Sequence, residues 1–361
     1  MTERVFNFAA GPATLPLSVL QEAQEQLVSY QGMGMSLLEM SHRSKPVEEV
    51  IAGAEENIRR LASIPDNYKI MFLQGGASSQ FSMVPMNLLT PGGTADHIVT
   101  GNFAKLALQD AQKVGDVRLA GSTEEQDFVR VPLQEELDLN PAADYVHITG
   151  NNTIYGTEWP TEPEVGAVPL VSDISSDIFS KPLYITKYGL VYAGAQKNLG
   201  AAGVTLVIIR EDLLSRSADN LPAMLNYNTH IKSNSAYNTP PVFAIYILGL
   251  VIKWLKAQGG LERIAEQNME KARVLYDALD SSEFYRGHAE PGHRSMMNVT
   301  FRLPTADLES QFISESTENG FNELKGHRSV GGIRASLYNA FPKAGAEALV
   351  SFMKDFERTN G

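Results

Sequence analysis

Short runs of β-branched and other apolar residues alternate with amphipathic stretches between about residues 65 and 210. Several runs have the length and composition of buried strands and end at turn residues: YKIMFLQ, DHIVTG, YVHITG, VPLVSD, GLVYAG and GVTLVIIR. Stretches such as FAKLALQDAQKVG lie between them and show apolar residues at helical spacing. This alternation predicts an α/β domain with a mainly parallel sheet, in which ligands bind beyond the carboxyl ends of the strands.

The last part of the chain predicts a second, smaller unit. We expect a buried helix over about residues 245–258, and Gly259-Gly260 marks a hinge before the amphipathic stretch LERIAEQNMEKARVLYDAL. Further on, SMMNVTFRL and GIRASLY have the pattern of strands, and helices are expected near residues 307–319 and 343–358. The sequence therefore predicts a large domain over residues 16–260 and a small α+β domain formed by residues 1–15 and 261–361.

Composition excludes several classes of protein. The net charge of −12 argues against a nucleic-acid partner, because binding to a phosphate backbone needs clustered positive charge. The 361 residues include no cysteine, which excludes disulfides, a cysteine nucleophile and a thiolate metal site, and we expect no metal. The run PPVFAIYILGLVIKWLK is interrupted by Lys253 and is shorter than the roughly 20 residues of a membrane span. Since MTERVFNFAAGPA lacks a signal-peptide core, we expect a cytoplasmic protein without a membrane partner.

A lysine, an aspartate and a glycine turn are the candidate chemical groups. Lys197 stands in the small-residue run AGAQKNLGAAG after one predicted strand, and Asp173 ends the strand before it. Both are expected to face one crevice at the carboxyl edge of the sheet. Gly75-Gly76 connects a strand to a helix, and the free amides of a helix start can bind an anion. Each feature also has a plain structural interpretation: a solvated lysine, an aspartate that caps a turn, and a tight connection.

These three groups together indicate pyridoxal phosphate chemistry. A buried lysine loses proton affinity, so its neutral amine can form a Schiff base with an aldehyde. Pyridoxal phosphate needs such a lysine, an aspartate for its pyridine nitrogen and a cradle for its phosphate. We expect the small residues beside Lys197 to make room for the cofactor ring.

Seven motifs carry a resemblance to a known family. They are FNFAAGPA (6–13), LEMSHRSK (38–45), GGASSQF (75–81), SDISSDIFS (172–180), QKNLGAAG (196–203), YNTPPVFAIY (237–246) and GHRSVGGIRASLYNA (326–340). Through them the chain resembles, over essentially its whole length, the class V aminotransferases, which are pyridoxal-phosphate enzymes of fold type I, the aspartate-aminotransferase-like fold.

The resemblance implies a set of residues that bind pyridoxal 5'-phosphate: Ala77, Ser78, Phe103, Thr153, Asp173, Gln196, Lys197, Asn238 and Thr239. In this set Lys197 would bond covalently to the cofactor and Asp173 would pair with its ring nitrogen. Phe103 would stack on the ring, at a position where many relatives carry tryptophan. Ala77 and Ser78 would contact the phosphate, whereas Thr153 and Gln196 would contact a ring substituent or the phosphate region. Asn238 and Thr239 would reach the phosphate from a partner subunit, which implies a homodimer.

The resemblance also implies the substrate contacts and the reaction. Arg334 would bind the α-carboxylate, and two histidine-arginine pairs would surround the distal phosphate or carboxylate: His42, Arg43, His327 and Arg328. Arginine suits this role because its planar fork matches carboxylate and phosphate oxygens. The implied reaction transfers the amino group reversibly between L-glutamate and 3-phosphooxypyruvate, giving O-phospho-L-serine and 2-oxoglutarate. In pyridoxine biosynthesis, 4-phosphohydroxy-L-threonine would be a second substrate.

Three alternatives remain to be weighed. An alanine-glyoxylate-type aminotransferase would share Lys197 and Asp173, but it would not need two histidine-arginine pairs. A cysteine desulfurase is excluded because the chain has no cysteine. A cofactor-binding regulator or inactive scaffold would keep the fold, and the presence of both Lys197 and Asp173 argues against it.

Overall fold

The centre of the computed structural model, which describes residues 4–361, is a seven-stranded sheet. In spatial order its strands are β2 (Tyr68–Leu73), β10 (Thr205–Arg210), β9 (Leu190–Gly194), β8 (Leu170–Asp173), β5 (Val146–Thr149), β3 (Ala95–Val99) and β4 (Val117–Ser122). Strand β10 is antiparallel to both neighbours, and the other pairs are parallel. The predicted mainly parallel sheet is therefore confirmed, with β4 as an additional edge strand that the sequence does not predict.

The sheet buries apolar side chains on both faces. Along β2, Ile70 and Phe72 belong to one apolar core, and Met71 and Leu73 belong to a second core on the opposite face. This follows from the period of two in a strand, which directs successive side chains to opposite sides. The first core includes residues of α1 (Leu17–Glu25), α2 (Lys45–Leu61) and α6 (Val242–Ala257), and the second includes residues of α3 (Gly76–Leu88) and α4 (Asn102–Gln112).

Helix α6 is the apolar centre of the first core. Ten of its 16 residues are buried, as the uniformly apolar sequence predicts. Burial of each large aliphatic side chain contributes about 1.5–3 kcal/mol to stability. Helix α7 (Gly260–Asp280) follows after a bend of 84°, and Gly259 and Gly260 have positive φ angles of 102° and 83° at this bend. The glycine pair therefore forms the predicted hinge, since other residues rarely adopt these angles.

A third apolar core lies under a smaller sheet. Its strands are β11 (Arg286–Gly287), β12 (Asn298–Arg302) and β14 (Ile333–Ser336), and helices α8 (Ala306–Glu318) and α9 (Lys343–Asn360) contribute to the same core. The N-terminal β1 (Phe6–Asn7) pairs in parallel with β13 (Phe321–Asn322), and Phe8 is buried in this core. The start of the chain is therefore packed against its end.

The remaining elements are short. Strands β6 (Asn151–Asn152) and β7 (Thr157–Glu158) form a hairpin after β5, and α5 (Tyr227–Lys232) precedes α6. Over residues 4–361, no single helix is long and apolar enough to span a membrane, and α6 with α7 would meet such a criterion only as a bent pair.

Candidate active site

The carboxyl ends of five sheet strands bring six of the predicted cofactor residues to one edge of the sheet. The segments that follow the strands supply Ala77 and Ser78 after β2, Phe103 after β3, Thr153 after β5, Asp173 at the end of β8 and Lys197 after β9. These strands point in the same direction, so their ends share one edge of the sheet. The edge of the sheet at which the sequence predicts a crevice therefore carries these predicted residues.

Lys197 has an enclosed amine with two neighbours from other strands. Its Nζ donates a hydrogen bond to Thr153 Oγ1 at 2.7 Å and lies 5.3 Å from the centroid of the Phe103 ring. Burial, assisted by the positive charge of Arg334, lowers the pKa of Lys197 to about 8, although the charge of Asp173 opposes the shift. A substantial fraction of this lysine is therefore neutral near physiological pH, as Schiff-base formation requires.

Asp173 combines a structural role with an available carboxylate oxygen. Its Oδ1 accepts hydrogen bonds from the Ser175 N–H at 2.9 Å and from the Ser175 hydroxyl at 2.6 Å. Among residues 4–361, none donates a hydrogen bond to Oδ2. Burial raises the pKa of Asp173, and the bonds from Ser175 and the charge of Lys197 oppose this rise. The turn-capping and ligand-binding interpretations of this residue are therefore compatible, because they use different oxygens.

The glycine turn opens the amino end of α3 toward the same cleft. Gly75 precedes the helix with a φ of 90°, and a Cβ at this position would clash with the Ser79 side chain. The amides of Gly76, Ala77 and Ser78 lie in the first turn, where helix geometry provides no carbonyl partner. The turn therefore presents free donors and the positive end of the helix dipole.

Arg334 lies in β14, and His327 and Arg328 lie in the loop before this strand. Arg334 Nη1 donates to the Thr153 carbonyl at 3.4 Å, while its buried Nε has no hydrogen-bond partner among the described residues. Burial lowers the pKa of His327, and the charges of Arg334 and Arg328 add to this effect. The three groups therefore lie close enough to affect one another, and the two arginine charges would favour an anionic ligand.

A second group of predicted residues makes no hydrogen bond to Lys197 among the described residues. His42 Nδ1 and Thr239 Oγ1 are 3.1 Å apart, and His42 and Arg43 line a cavity of about 520 Å³. Asn238 and Thr239 are exposed. Among residues 4–361, no hydrogen bond or ion pair joins His42, Arg43, Asn238 or Thr239 to Lys197 or Arg334.

Two of the small residues beside Lys197 pack against other parts of the protein. Gly200 lies against α6, where an added Cβ would approach the Leu248 backbone to 3.3 Å, and Ala195 is fully buried in the first core. Gly11 instead lies against the aliphatic stem of Lys197, with an added Cβ 3.1 Å from its Cγ. Ala195 and Gly200 of AGAQKNLGAAG therefore allow close packing of the protein on itself, and the expectation that the run makes room for a ring stays a prediction.

Sequence reasoning missed Asp177 as a member of the cleft. Its pKa is raised to about 7 by burial and by the negative charges of Glu158 and Asp173, and its own charge raises the pKa of Lys197. The motif SDISSDIFS could have indicated Asp177, because this second aspartate follows the first by four positions, the spacing of one helical turn.

Gln196 is among the residues that the sequence predicts for the site. Its backbone carbonyl accepts a hydrogen bond from the Ala13 N–H at 2.9 Å.

Curated proteins that match the chain over its full length include phosphoserine aminotransferases from several bacteria. It is 53% identical over 363 aligned residues to the phosphoserine aminotransferase of Desulfosudis oleivorans, covering 100% of both chains. It is 53% identical over 357 residues to the phosphoserine aminotransferase of Geobacillus kaustophilus, covering 99% of both.

Solved structures and a family model agree with this comparison. The phosphoserine aminotransferase of Bacillus circulans subsp. alkalophilus superposes with a TM-score of 0.98 at 50% identity and full coverage of both chains. An alanine-glyoxylate aminotransferase from Nostoc, at 17% identity and a TM-score of 0.78 over 99% of this chain and 96% of that one, shows the fold alone. The model for aminotransferase class-V matches residues 5–349. The predicted fold type and family resemblance are confirmed, and the chain belongs to the class V aminotransferase family.

Proposed function

We propose that the protein is a pyridoxal-phosphate-dependent phosphoserine aminotransferase. It transfers the amino group of L-glutamate to 3-phosphooxypyruvate, giving O-phospho-L-serine and 2-oxoglutarate, and the reaction is reversible. The observation that carries this proposal is the full-length identity of 53% to enzymes that bear this name. The alanine-glyoxylate alternative has support only at the level of fold, at 17% identity.

The residues of the cleft fit pyridoxal phosphate. Lys197 offers an enclosed amine, Asp173 has an oxygen without a protein donor, and the first turn of α3 offers amide donors for a phosphate. Lys197 and Asp173 form no ion pair among the described residues, although the charge of each shifts the pKa of the other. This arrangement suits a planar group that lies between them. We assign Ala77, Ser78, Phe103, Thr153 and Gln196 to its other contacts.

When bound, pyridoxal phosphate supplies an aldehyde that takes up the amino group and a ring that accepts electrons released at the substrate Cα. Lys197 Nζ takes the proton from the substrate Cα and later returns a proton, and a pKa lowered to about 8 suits this exchange near neutral pH. Asp173 would hold the ring nitrogen through the carboxylate oxygen that Ser175 does not occupy, and its negative charge would favour the protonated form of that nitrogen. Ser175 holds the Asp173 carboxylate in position through Oδ1.

Substrate selection is assigned to the cationic groups. Arg334 binds the α-carboxylate that both amino donors and both acceptors share, and its unpartnered Nε is available for this contact. His327 and Arg328 bind the distal phosphate or carboxylate from the same subunit. Since the net charge of the protein is −12, these local cations are needed to attract a dianionic substrate.

We also propose a homodimer in which His42, Arg43, Asn238 and Thr239 complete the site of the partner subunit. The absence, among residues 4–361, of a hydrogen bond or ion pair between this group and Lys197 or Arg334 within one chain supports the proposal. A second support is the concentration of exposed large apolar side chains just before His42, at Leu17, Leu20, Leu27, Val28, Met33, Met35 and Leu38. Such a patch on a folded protein marks an interaction surface.

The domain division and the cellular location are further proposals. The large domain of residues 16–260 is supported by the two cores that flank the main sheet, although α7 begins with Leu261 and Ile264 in the first of them. The small domain of residues 261–361 with the N-terminal segment is supported by the third core, and residues 1–3 of that segment lie outside the described residues. A cytoplasmic location fits the absence of cysteine.

The test is a substrate comparison with cofactor-loaded protein. Glutamate is incubated with 3-phosphooxypyruvate, with unphosphorylated hydroxypyruvate or with glyoxylate, and 2-oxoglutarate formation is measured. We expect kcat/KM for the phosphorylated acceptor to exceed the others at least about 100-fold, because a site built to bind a charged group leaves its donors unpaired when that group is missing. Equal rates, or transfer to glyoxylate alone, would refute the proposal. The reverse reaction with 4-phosphohydroxy-L-threonine tests the proposed role in pyridoxine biosynthesis.

A further inference from the structure

Three buried asparagines lie where the small sheet meets the loops of the cleft. Asn198, Asn268 and Asn339 are 5%, 1% and 7% exposed. They come from three distant parts of the chain: the loop after β9, helix α7 and the segment after β14. Their side-chain hydrogen bonds connect them to one another and to the loop after β8, so we call them the asparagine network.

Asn339 is the centre of the asparagine network. Its backbone N–H donates to Asn198 Oδ1 at 3.0 Å, and its Nδ2 donates to the Phe179 carbonyl at 2.9 Å. Its Oδ1 accepts from Asn268 Nδ2 at 2.8 Å. One residue of the small unit is therefore bonded to three other segments through three directional contacts.

The two other asparagines extend these connections. Asn198 Nδ2 donates to the Ser176 carbonyl at 3.3 Å, and Asn268 Nδ2 also donates to the Ser180 carbonyl at 2.8 Å. One turn after Asn268 on α7, the buried Lys271 Nζ donates to the Leu337 and Tyr338 carbonyls at 2.9 and 2.8 Å. The segment after β14 is thus bonded over three consecutive residues, 337–339.

The connected segments are those that carry the groups proposed for catalysis. Asn198 directly follows Lys197, the Ser176–Ser180 loop begins three residues after Asp173, and Asn339 lies five residues after Arg334. We propose that the asparagine network is a positioning unit that fixes the α-carboxylate site at Arg334 relative to Lys197 and Asp173. This inference rests on the proposed function, because it assigns a role to the spacing between those three groups.

The chemistry of the amide explains why asparagine suits this role. Each asparagine side chain is uncharged and offers both hydrogen-bond donors and an acceptor. It can therefore connect backbone groups of different segments in a buried region without the free-energy cost of burying a charge. The contacts are directional and fully buried, and therefore constrain the position of a segment more strongly than apolar contacts alone. Misplacement of a binding group by about 1 Å can reduce the rate about 100-fold.

The test uses Asn339→Ala and Asn198→Ala with a matched control, Asn87→Ala. Asn87 is also fully buried, and its side chain bonds to the Met83 and Leu225 carbonyls, the Ser217 hydroxyl and the Tyr227 N–H, all within the large domain. The control therefore removes four buried hydrogen bonds, against two in Asn339→Ala, without touching the network. KM and kcat for glutamate and 3-phosphooxypyruvate, the absorbance of the bound cofactor, and hydrogen exchange of the cofactor-free proteins are measured.

We expect Asn339→Ala and Asn198→Ala to raise KM about 10-fold for both substrates, since both carry an α-carboxylate, and to keep the cofactor absorbance. Peptides from residues 174–181 and 333–341 should exchange faster together in these variants. The control should lose stability without a change in either KM. Unchanged KM values in the network variants, or an equal rise in the control, would overturn the proposal. If the wild-type protein transfers no amino group, the proposed function fails. The hydrogen exchange of the two peptides then decides by itself whether the network couples these segments: faster exchange of both in the network variants supports the coupling, and unchanged exchange contradicts it.

Discussion

Lys197 Nζ donates a hydrogen bond to Thr153 Oγ1 at 2.7 Å, although the two residues are 44 positions apart in the chain. The contact exists because β5 and β9 end at the same edge of the sheet. The Lys197 amine is therefore held in one place by a hydroxyl group while burial and Arg334 reduce its affinity for a proton. Position and protonation of the amine can be tested separately.

Titration of Lys197 in the cofactor-free protein is the first test. Because its pKa is lowered to about 8 from 10.5, the amine should be mostly protonated below pH 8 and mostly neutral above it. Trace acetylation between about pH 6 and about pH 11, followed by peptide mass spectrometry, should give a reactivity midpoint near pH 8. A midpoint close to 10.5 would contradict the enclosed environment of this amine.

Replacement of Lys197 by alanine should remove two properties together. The amine is the only atom of this residue that can bond to the cofactor aldehyde and move a proton at the substrate Cα. Lys197→Ala should therefore lose both the Schiff-base absorbance and at least about 1,000-fold in transamination rate. Lys187→Ala is the control, since Lys187 is exposed and pairs with Glu162. A Lys197→Ala protein that transfers amino groups at the wild-type rate would disprove the assignment.

Removal of the Ser175 hydroxyl should change the pH dependence of the reaction. The hydroxyl donates to Asp173 Oδ1 and opposes the rise in the Asp173 pKa that burial causes. In Ser175→Ala the pKa of Asp173 should rise further, so the carboxylate protonates at higher pH and the acid side of the kcat/KM profile moves upward. A hydrogen bond to a charged group is worth about 1.5–3 kcal/mol, which corresponds to a shift of about one pH unit or more.

A matched serine distinguishes this effect from a general loss of stability. Ser281 is exposed after α7, and its hydroxyl bonds only to a local carbonyl. Ser281→Ala should leave the pH profile unchanged. If Ser175→Ala also shows the wild-type pH profile of kcat/KM, or shifts that profile toward lower pH, the Ser175 hydroxyl does not stabilise the ionised carboxylate of Asp173.

Particular residues show what the sequence could predict and what it could not. Asp173 and Lys197 could be placed at one edge because strand periodicity and the parallel arrangement fix where strand ends lie. The contact of Asn198 with Asn339 spans 141 positions, and that of Gly200 with Leu248 depends on helix packing. Neither contact produces a periodic pattern of residues from which it could be predicted. Strand β4, VRLAGS, was missed because its small residues and half-exposed edge position give a weak strand pattern.

Mixing a variant with weakened substrate binding and an inactive variant tests whether Arg43 acts in the site of the partner subunit. Arg43→Ala should raise KM for 3-phosphooxypyruvate by roughly 10-fold or more, because it removes a charged contact to the phosphate. Lys197→Ala should be inactive at any substrate concentration. In a hybrid dimer, the subunit with intact Lys197 would receive intact Arg43 from its partner, so one of its two sites would be complete. After random exchange of equal amounts, about a quarter of all sites should be active at low substrate concentration.

The opposite arrangement gives a different result with the same proteins. If Arg43 served the site of its own subunit, every site in the hybrid would lack either Lys197 or Arg43, and mixing would restore nothing. Native mass spectrometry establishes that subunits have exchanged, so an absence of recovered activity cannot be attributed to separate homodimers. The cluster of His42, Arg43 and Thr239 makes the first outcome the expected one, because within one chain no hydrogen bond or ion pair among residues 4–361 connects it to Lys197 or Arg334.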